Sequence, residues 1–364
     1  MKNPVLIAVL VLGIISIAGC LGGSGTAPTA SPSTTPTAPS PSETITPTFW
    51  EMKLVWNVST VGIPFMDLSP DGSLSAVIDW NGHRVYLVKP DGSSVSFDLQ
   101  GHDAVGPVIA GVALKGGKVY VLGDYEGFAG VRVYSWNGKV DELKVGSSAD
   151  GIMRSPSGNH LCYLVTLSPT EQSLTCDGIE TKLTPNDYDM NWVSDAGIVV
   201  LTENGKSLAM RDGKAVLTVN GSHIIAYGDK LLVSEGNTLK ILSLNGSVLA
   251  TKDKAGFSVT TLLRWTLIPT KRYLFLHEPL GDTHVLTWNL SEVKVLPGFP
   301  YFANENFAVT ARDGVIHCYS LDDFHEVFSV KVPGDSLGYI KLNDDGKVML
   351  VSGETGGFWL YTAG

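Results

Sequence analysis

The fold class this sequence predicts is all-β, a β-propeller of four-stranded sheets, on three observations. Short apolar runs rich in β-branched and aromatic residues recur from Phe65 to the C-terminus, as strands do. Between them stand turn pairs that need positive φ: Asn137-Gly138, Asn204-Gly205, Asp212-Gly213, Asn245-Gly246, Asp313-Gly314 and Asp345-Gly346. The units return with a period of about 40 residues, which places them among the blades of a propeller.

The first unit, Phe65–Leu99, is the clearest. A short strand meets the turn Ser69-Pro70-Asp71-Gly72, then Leu74–Asp79 follows, a Trp80-Asn81-Gly82 turn, Arg84–Val88, a second Pro-Asp-Gly turn and Val95–Leu99. Units two to seven occupy Pro107–Val145, Gly151–Leu183, Met190–Val219, His223–Thr251, Val259–Leu296 and Tyr301–Val332, and Ser155-Pro156-Ser157-Gly158 echoes the first turn. The sixth inner strand is expected over Val259–Leu267. The last unit holds only Tyr339–Leu342, Lys347–Val351 and Phe358–Tyr361, whereas Phe49–Val58 is strand-like and has no unit. An orphan strand and a three-stranded sheet suit closure of a ring, because pairing them removes exposed edges. That gives eight blades, with seven the alternative if two short units merge.

Composition narrows the function classes. The net charge is −10, and residues 1–48 contribute only Lys2 and Glu43, so the excess negative charge belongs to residues 49–364. An acidic body repels phosphate, which argues against nucleic-acid binding. Four cysteines without a C-x-x-C pair make neither a disulfide scaffold nor a zinc site of the usual spacing. Cys162 and Cys176 lie on consecutive strand-like runs around Pro169 and would sit opposite each other; a disulfide, two buried thiols and a metal site all stay open.

Lys2 precedes the apolar run Pro4–Ala18, too short to span a bilayer and suited to a signal segment. The sequence Ile17-Ala18-Gly19-Cys20 resembles the lipobox of prokaryotic lipoproteins, which implies cleavage before Cys20 and lipidation of that residue. Of the 25 residues from Ser24 to Thr48, 19 are Ser, Thr or Pro, a composition that cannot bury enough apolar surface to fold. The expected organisation is therefore a lipoprotein signal peptide at 1–20, a disordered stalk at 21–48 reaching roughly 28 Å as a coil, and a propeller at 49–364. Gly-Cys-Leu-Gly-Gly followed by such a stalk is similar to archaeal surface lipoproteins. The expected location is extracytoplasmic, anchored to the cell membrane.

Two third strands end in Trp136-Asn137 and Trp288-Asn289, and Gly101-His102 falls between units. These resemble the Trp-Asp and Gly-His dipeptides of WD40-type repeats, and Ser-Pro-Asp-Gly resembles the TolB-like variety. No unit carries both dipeptides, so the resemblance implies the fold and no chemistry.

No G-x-S-x-G, H-E-x-x-H, G-x-G-x-x-G or P-loop occurs, and no catalytic residue and no cofactor is assigned. His277, Asp282 and His284 flank one hairpin mouth and are a weak metal candidate; the default is loop imidazoles beside carboxylates. Asp187, Asp189 and Asn191 have the opening spacing of a calcium loop, but Trp192 stands where glycine is needed and Ile198 where the bidentate glutamate is needed. A distributed ligand face is expected from the loops that enter inner strands and join second to third strands. The early units bring Trp80, His83, His102, Asp103, Asp124 and Tyr125 to it. The later ones bring Asp187, Tyr188, Trp192, His223 and Tyr301. Carboxylates interleaved with aromatic rings stack sugars or hold cationic groups.

The function expected is a tethered binding or scaffold propeller docking a protein, peptide or glycan. Its architecture is similar to the propeller lipoprotein of the bacterial barrel-assembly machine. The alternatives are an extracellular enzyme, quinoprotein-like or a glycan lyase, and a ligand-capturing subunit of a transporter. Eight-bladed quinoprotein dehydrogenases carry adjacent cysteines and repeated Trp-docking motifs, and this chain has neither.

Overall fold

The computed structural model describes residues 49–60, 65–79, 83–99, 108–125, 127–184, 187–220, 222–253, 268–277, 281–333, 336–354 and 356–364. They form eight four-stranded antiparallel sheets and contain no helix. Blades 1 to 7 span 65–98, 108–146, 148–183, 189–220, 222–253, 268–296 and 299–331, each with its strands in sequence order from the centre outward. Blade 8 takes three strands from the C-terminus, Leu337–Leu342, Val348–Gly353 and Phe358–Ala363, and its outer strand is Met52–Val58. The pairing runs Lys53↔Thr362, Asn57↔Trp359 and Val58↔Phe358. Strand pairing between the two ends of the chain thus closes the ring, in eight blades rather than seven.

Packing explains why the strands read as continuous apolar runs rather than alternating ones. In Ser75–Asp79, Ala76 and Ile78 face blade 2 while Val77 faces blade 8, so both sides of the sheet are buried. Eight hydrophobic clusters result, each shared by two consecutive blades. The one that joins Leu350, Phe358 and Leu360 of blade 8 to Leu68, Val77 and Val88 of blade 1 completes the circle.

One turn solution is used repeatedly. After Ser69, Lys89, Ser155, Ser194, Ser243 and Asn343, the glycine three residues on donates its N–H to the carbonyl of that residue and takes positive φ. Gly72 has a second constraint, since a Cβ there would lie 2.5 Å from Asn343 Nδ2 of blade 8. Asn204-Gly205, Asp212-Gly213 and Asp313-Gly314 hold positive φ at both positions, as two-residue hairpins require.

One expectation changes. Blade 3 begins at Ser148 rather than Gly151, which brings Asp150 into its inner strand. The described inner strand of blade 6 is Ile268–Pro269, while Val259–Leu267 lies outside the described residues. The stalk, the signal segment and Cys20 also lie outside them, and among the described residues no helix is long and apolar enough to cross a membrane.

Candidate functional site

The ring has two faces. Turns between first and second strands, and between third and fourth, form one, called here the turn face. Blade-to-blade connections and second-to-third turns form the other, the connection face, where the sequence places its candidate ligand residues.

On the turn face, the blades are tied to one another. Arg154 of blade 3 reaches Asp67 of blade 1, with Nε 2.6 Å from Oδ2 and an Nη 3.0 Å from Oδ1, and also donates to the Leu68 carbonyl. Ser157 donates to Asp195 of blade 4 through both N–H and hydroxyl. Tyr227 of blade 5 donates to Glu305 of blade 7 at 2.7 Å, and Lys271 N–H of blade 6 donates to the same carboxylate. Asn304 and Asn306 donate to the carbonyls of Asn343 and Asp344, and Asp344 N–H donates to Pro70 O. The chain joins the ring on this face, where Trp50 N–H donates to Val327 O and its ring packs edge-on against Phe307.

On the connection face, blades 2, 3 and 4 carry a polar arc. Asp124 accepts Ala149 N–H at 2.7 Å and the Ser148 hydroxyl at 3.3 Å. Asp150 accepts the Thr166 hydroxyl and the Gln172 amide, each at 3.0 Å. Gln172 in turn pairs with the backbone of Tyr188, donating to its carbonyl and accepting its N–H. The Asp150 side chain keeps contact with solvent, yet partial burial raises its pKa above the ordinary carboxylate value, and the negative charges of Asp124 and Asp189 add to the rise. Partial burial also raises the Tyr188 phenol, helped by its hydrogen bond to Glu203 and by Asp187. A carboxylate whose charge is disfavoured, with two further carboxylates and a tyrosine in the same arc, makes a surface suited to a cationic or hydroxyl-rich group.

The structure brings Asp124, Asp187, Tyr188 and Asp189 together and separates other candidates from them. Tyr125 is fully buried: its hydroxyl donates to Val121 O and its ring lies under the Arg132 guanidinium, so it is a core residue and not a ligand contact. Trp192 packs between blades and donates its indole N–H to Ala226 O at 2.7 Å. Tyr301 lies across the ring in blade 7, its hydroxyl 3.4 Å from Leu337 O. His83 is half-buried with φ 46° after the second strand of blade 1. Trp80, His102 and Asp103, and the side chain of His223, lie outside the described residues.

The metal candidates do not converge. His277 is buried against Phe299, with ring centroids 4.5 Å apart, whereas His284 pairs with Glu292 at 2.5 Å. Asp282 is taken by Gly298 N–H and Arg312. Asp187 and Asn191 likewise have separate partners, Asn204 and Thr202. Among the described residues no group of three or more His, Cys, Asp or Glu side chains is placed to hold a metal. Cys162 and Cys176 are directly paired in register and joined in a disulfide that links the second and third strands of blade 3. Cys318 is a buried thiol, and burial raises its pKa.

Asp150, Gln172 and Glu203 were not among the sequence candidates. An inner strand drawn from Gly151 leaves Asp150 in a connection, although it lies five residues before the turn serine Ser155, as Asp189 lies five before Ser194.

No protein-family profile matches the sequence. Among solved structures, the C-terminal WD40 domain of Sif2 is similar with a TM-score of 0.58 at 12% identity, covering 86% of this chain and 99% of its own. The computationally designed Ika8 protein gives 0.60 at 12% identity, over 85% and 99%. A chain of the mitotic checkpoint complex gives 0.50 at 14% identity, over 93% and 98%. At such identities the likeness shows the WD40-like propeller fold alone. An uncharacterized protein of Archaeoglobus fulgidus is 52% identical over 359 residues, 98% of this chain and 96% of its own length. The chain belongs to the same family as that archaeal protein.

Proposed function

We propose that this protein is a lipid-anchored, extracytoplasmic binding propeller that docks a protein, peptide or glycan on its connection face. The observation that carries the reading is the arc from Asp124 through Asp150 and Gln172 to Tyr188. Three side chains, Asp124 of blade 2 and Asp150 and Gln172 of blade 3, are held by hydrogen bonds, Gln172 ties down the Tyr188 backbone at the entry to blade 4, and Asp150 is held where its charge is disfavoured. Rigid scaffolds commonly carry ligand sites on such loops. The chain enters the ring at the opposite face, where Trp50 N–H donates to Val327 O. One of the similar propellers is part of a multi-protein assembly, the mitotic checkpoint complex. Anchoring through Cys20 is supported by the lipobox-like Ile17-Ala18-Gly19-Cys20 and the Ser/Thr/Pro-rich segment that follows.

The test is capture from solubilised membranes with the full chain, repeated with Asp150→Asn and Tyr188→Phe. A partner retained by the wild type and lost by both variants supports the reading. A partner retained by both removes the arc from the site, and a turned-over small molecule instead of a retained partner favours the enzyme alternative. Cys20→Ser should release the protein from the membrane fraction; unchanged membrane retention would count against the lipid anchor.

A further inference from the structure

Four Asn-x-Ser sequences occur, at Asn57, Asn220, Asn245 and Asn289, the acceptor pattern for N-linked glycosylation of surface loops in exported proteins. The fold treats them differently. Asn57 sits in the outer strand of blade 8, in register with Trp359, where the neighbouring strand keeps an enzyme from enclosing it. The Asn220 sequence runs through Gly221, outside the described residues. Asn245 and Asn289 are exposed and hold the same place in consecutive blades, the turn from third to fourth strand on the turn face. The two turns match bond for bond. Gly246 N–H donates to Ser243 O and Leu290 N–H to Thr287 O, while the N–H groups of Ser243 and Thr287 donate to the carbonyls of Ser247 and Ser291. Gly246 and Leu290 both take positive φ, 86° and 64°. Each asparagine Oδ1 accepts the N–H of the serine two residues on, at 3.0 and 3.2 Å, and also a hydroxyl from Ser243 or Thr287.

Capping such a turn needs only the oxygen. In blade 1 the same turn is capped by Asp91, whose carboxylate accepts Ser93 N–H at 2.8 Å and the Ser93 hydroxyl at 2.6 Å. Blades 5 and 6 carry an amide there instead, and among the described residues its Nδ2 makes no hydrogen bond. The hydroxyls of Ser247 and Ser291 make none either. The two groups that the acceptor pattern requires, an amide nitrogen and a hydroxyl two residues on, are the two that the fold leaves to solvent. We propose that Asn245 and Asn289 are sites of N-linked glycosylation, the donor being an oligosaccharide carried on a polyprenyl phosphate. Nδ2 forms a bond to the anomeric carbon, the bond from that carbon to the phosphate oxygen breaks, and the amide proton ends on the released phosphate; nothing is oxidised or reduced. Each asparagine stands three residues before an outer strand, Val248–Asp253 or Glu292–Leu296, and those edges expose Val248, Leu249, Val293 and Val295. A bulky hydrophilic group at the head of each strand screens an edge open to pairing with another chain. Access to the donor requires the extracytoplasmic location proposed above and is independent of the docking arc.

The experiment uses the full chain purified from the cells that naturally make it. Peptides containing Asn57, Asn245 and Asn289 are read by mass spectrometry under fragmentation that keeps a glycan on its peptide. The expected result is an added sugar mass on Asn245 and Asn289 and none on Asn57. Ser247→Ala and Ser291→Ala, made in the same cells, remove hydroxyls that the fold does not use and keep every hydrogen bond of the turns. Each should therefore lose one glycan from the intact mass. Bare asparagines at both turns, a glycan on Asn57 alone, or an intact mass that keeps both glycans in the serine variants overturns the proposal. A membrane-impermeant biotinylating reagent applied to intact cells tests the location by itself. Labelled protein with bare asparagines overturns the glycan assignment alone, whereas unlabelled protein with bare asparagines overturns it together with the extracytoplasmic location.

Discussion

The two faces of the ring use the same kinds of residue in opposite ways. On the turn face, carboxylates are consumed by the fold: Asp67 by Arg154, Asp195 by Ser157, Glu305 by Tyr227 and Lys271. Those bonds reach across blades, in two cases past an intervening one, and they hold the ring's circumference. On the connection face, Asp124 and Asp150 accept from neutral donors among the described residues. One face spends its acids on stability and the other keeps them available. The difference is what the proposed docking on the connection face rests on.

The largest way to sharpen this contrast is Arg154→Met. Its partner Asp67 would remain as an uncompensated charge at 5% side-chain exposure, a loss of about 3–5 kcal/mol measurable by denaturant unfolding. Adding Asp67→Leu should recover most of it, since an apolar pair of similar volume commonly replaces a buried ion pair at little cost. Next comes the disulfide one step in from the turn at Asp177-Gly178. Cys162→Ser with Cys176→Ser opens a loop of sequence separation 14, worth about 3 kcal/mol in the chain-entropy account; alkylation of unfolded, unreduced wild type should find one thiol in the ring, Cys318. Gly72→Ala forces a left-handed φ on a residue with a Cβ and presses it on Asn343, for about 1–2 kcal/mol.

The smallest effect has the opposite sign. Asp150 has a raised pKa, so the folded state binds its proton more tightly than the unfolded state does. Stability from this group therefore falls as pH rises from the ordinary aspartate value, 3.8, through the raised one. Asp150→Asn should raise the melting temperature slightly at pH 7, and the gain should vanish below pH 3.8. A melting temperature lowered at pH 7 would make Asp150 a structural residue like Asp67 and erase the contrast between the faces.

Much of the ring is legible in the sequence because its signals are local. Asn-Gly, Asp-Gly and Pro-Asp-Gly fix hairpins within a few residues, and the missing fourth strand of the last unit points to Met52–Val58. In blade 6 the described inner strand is Ile268–Pro269, and the apolar run Val259–Leu267 lies outside the described residues. The sites are harder to see. Arg154 and Asp67 are 87 residues apart in sequence, and nothing near either announces the other. Tryptophan and tyrosine at strand ends look like ligand contacts, yet Trp192 and Tyr125 spend their polar atoms on backbone carbonyls in or between blades.

The pairing of Met52–Val58 with Phe358–Ala363 underlies both faces. Native-state hydrogen exchange on the full chain tests it directly. Ladder amides of residues 52–58 should exchange as slowly as those of Val348–Gly353, with the same denaturant dependence, because both are released only when the ring opens. Exchange of residues 52–58 at the rate of free peptide, while the other blades stay protected, would mean that the circle is not closed by this strand.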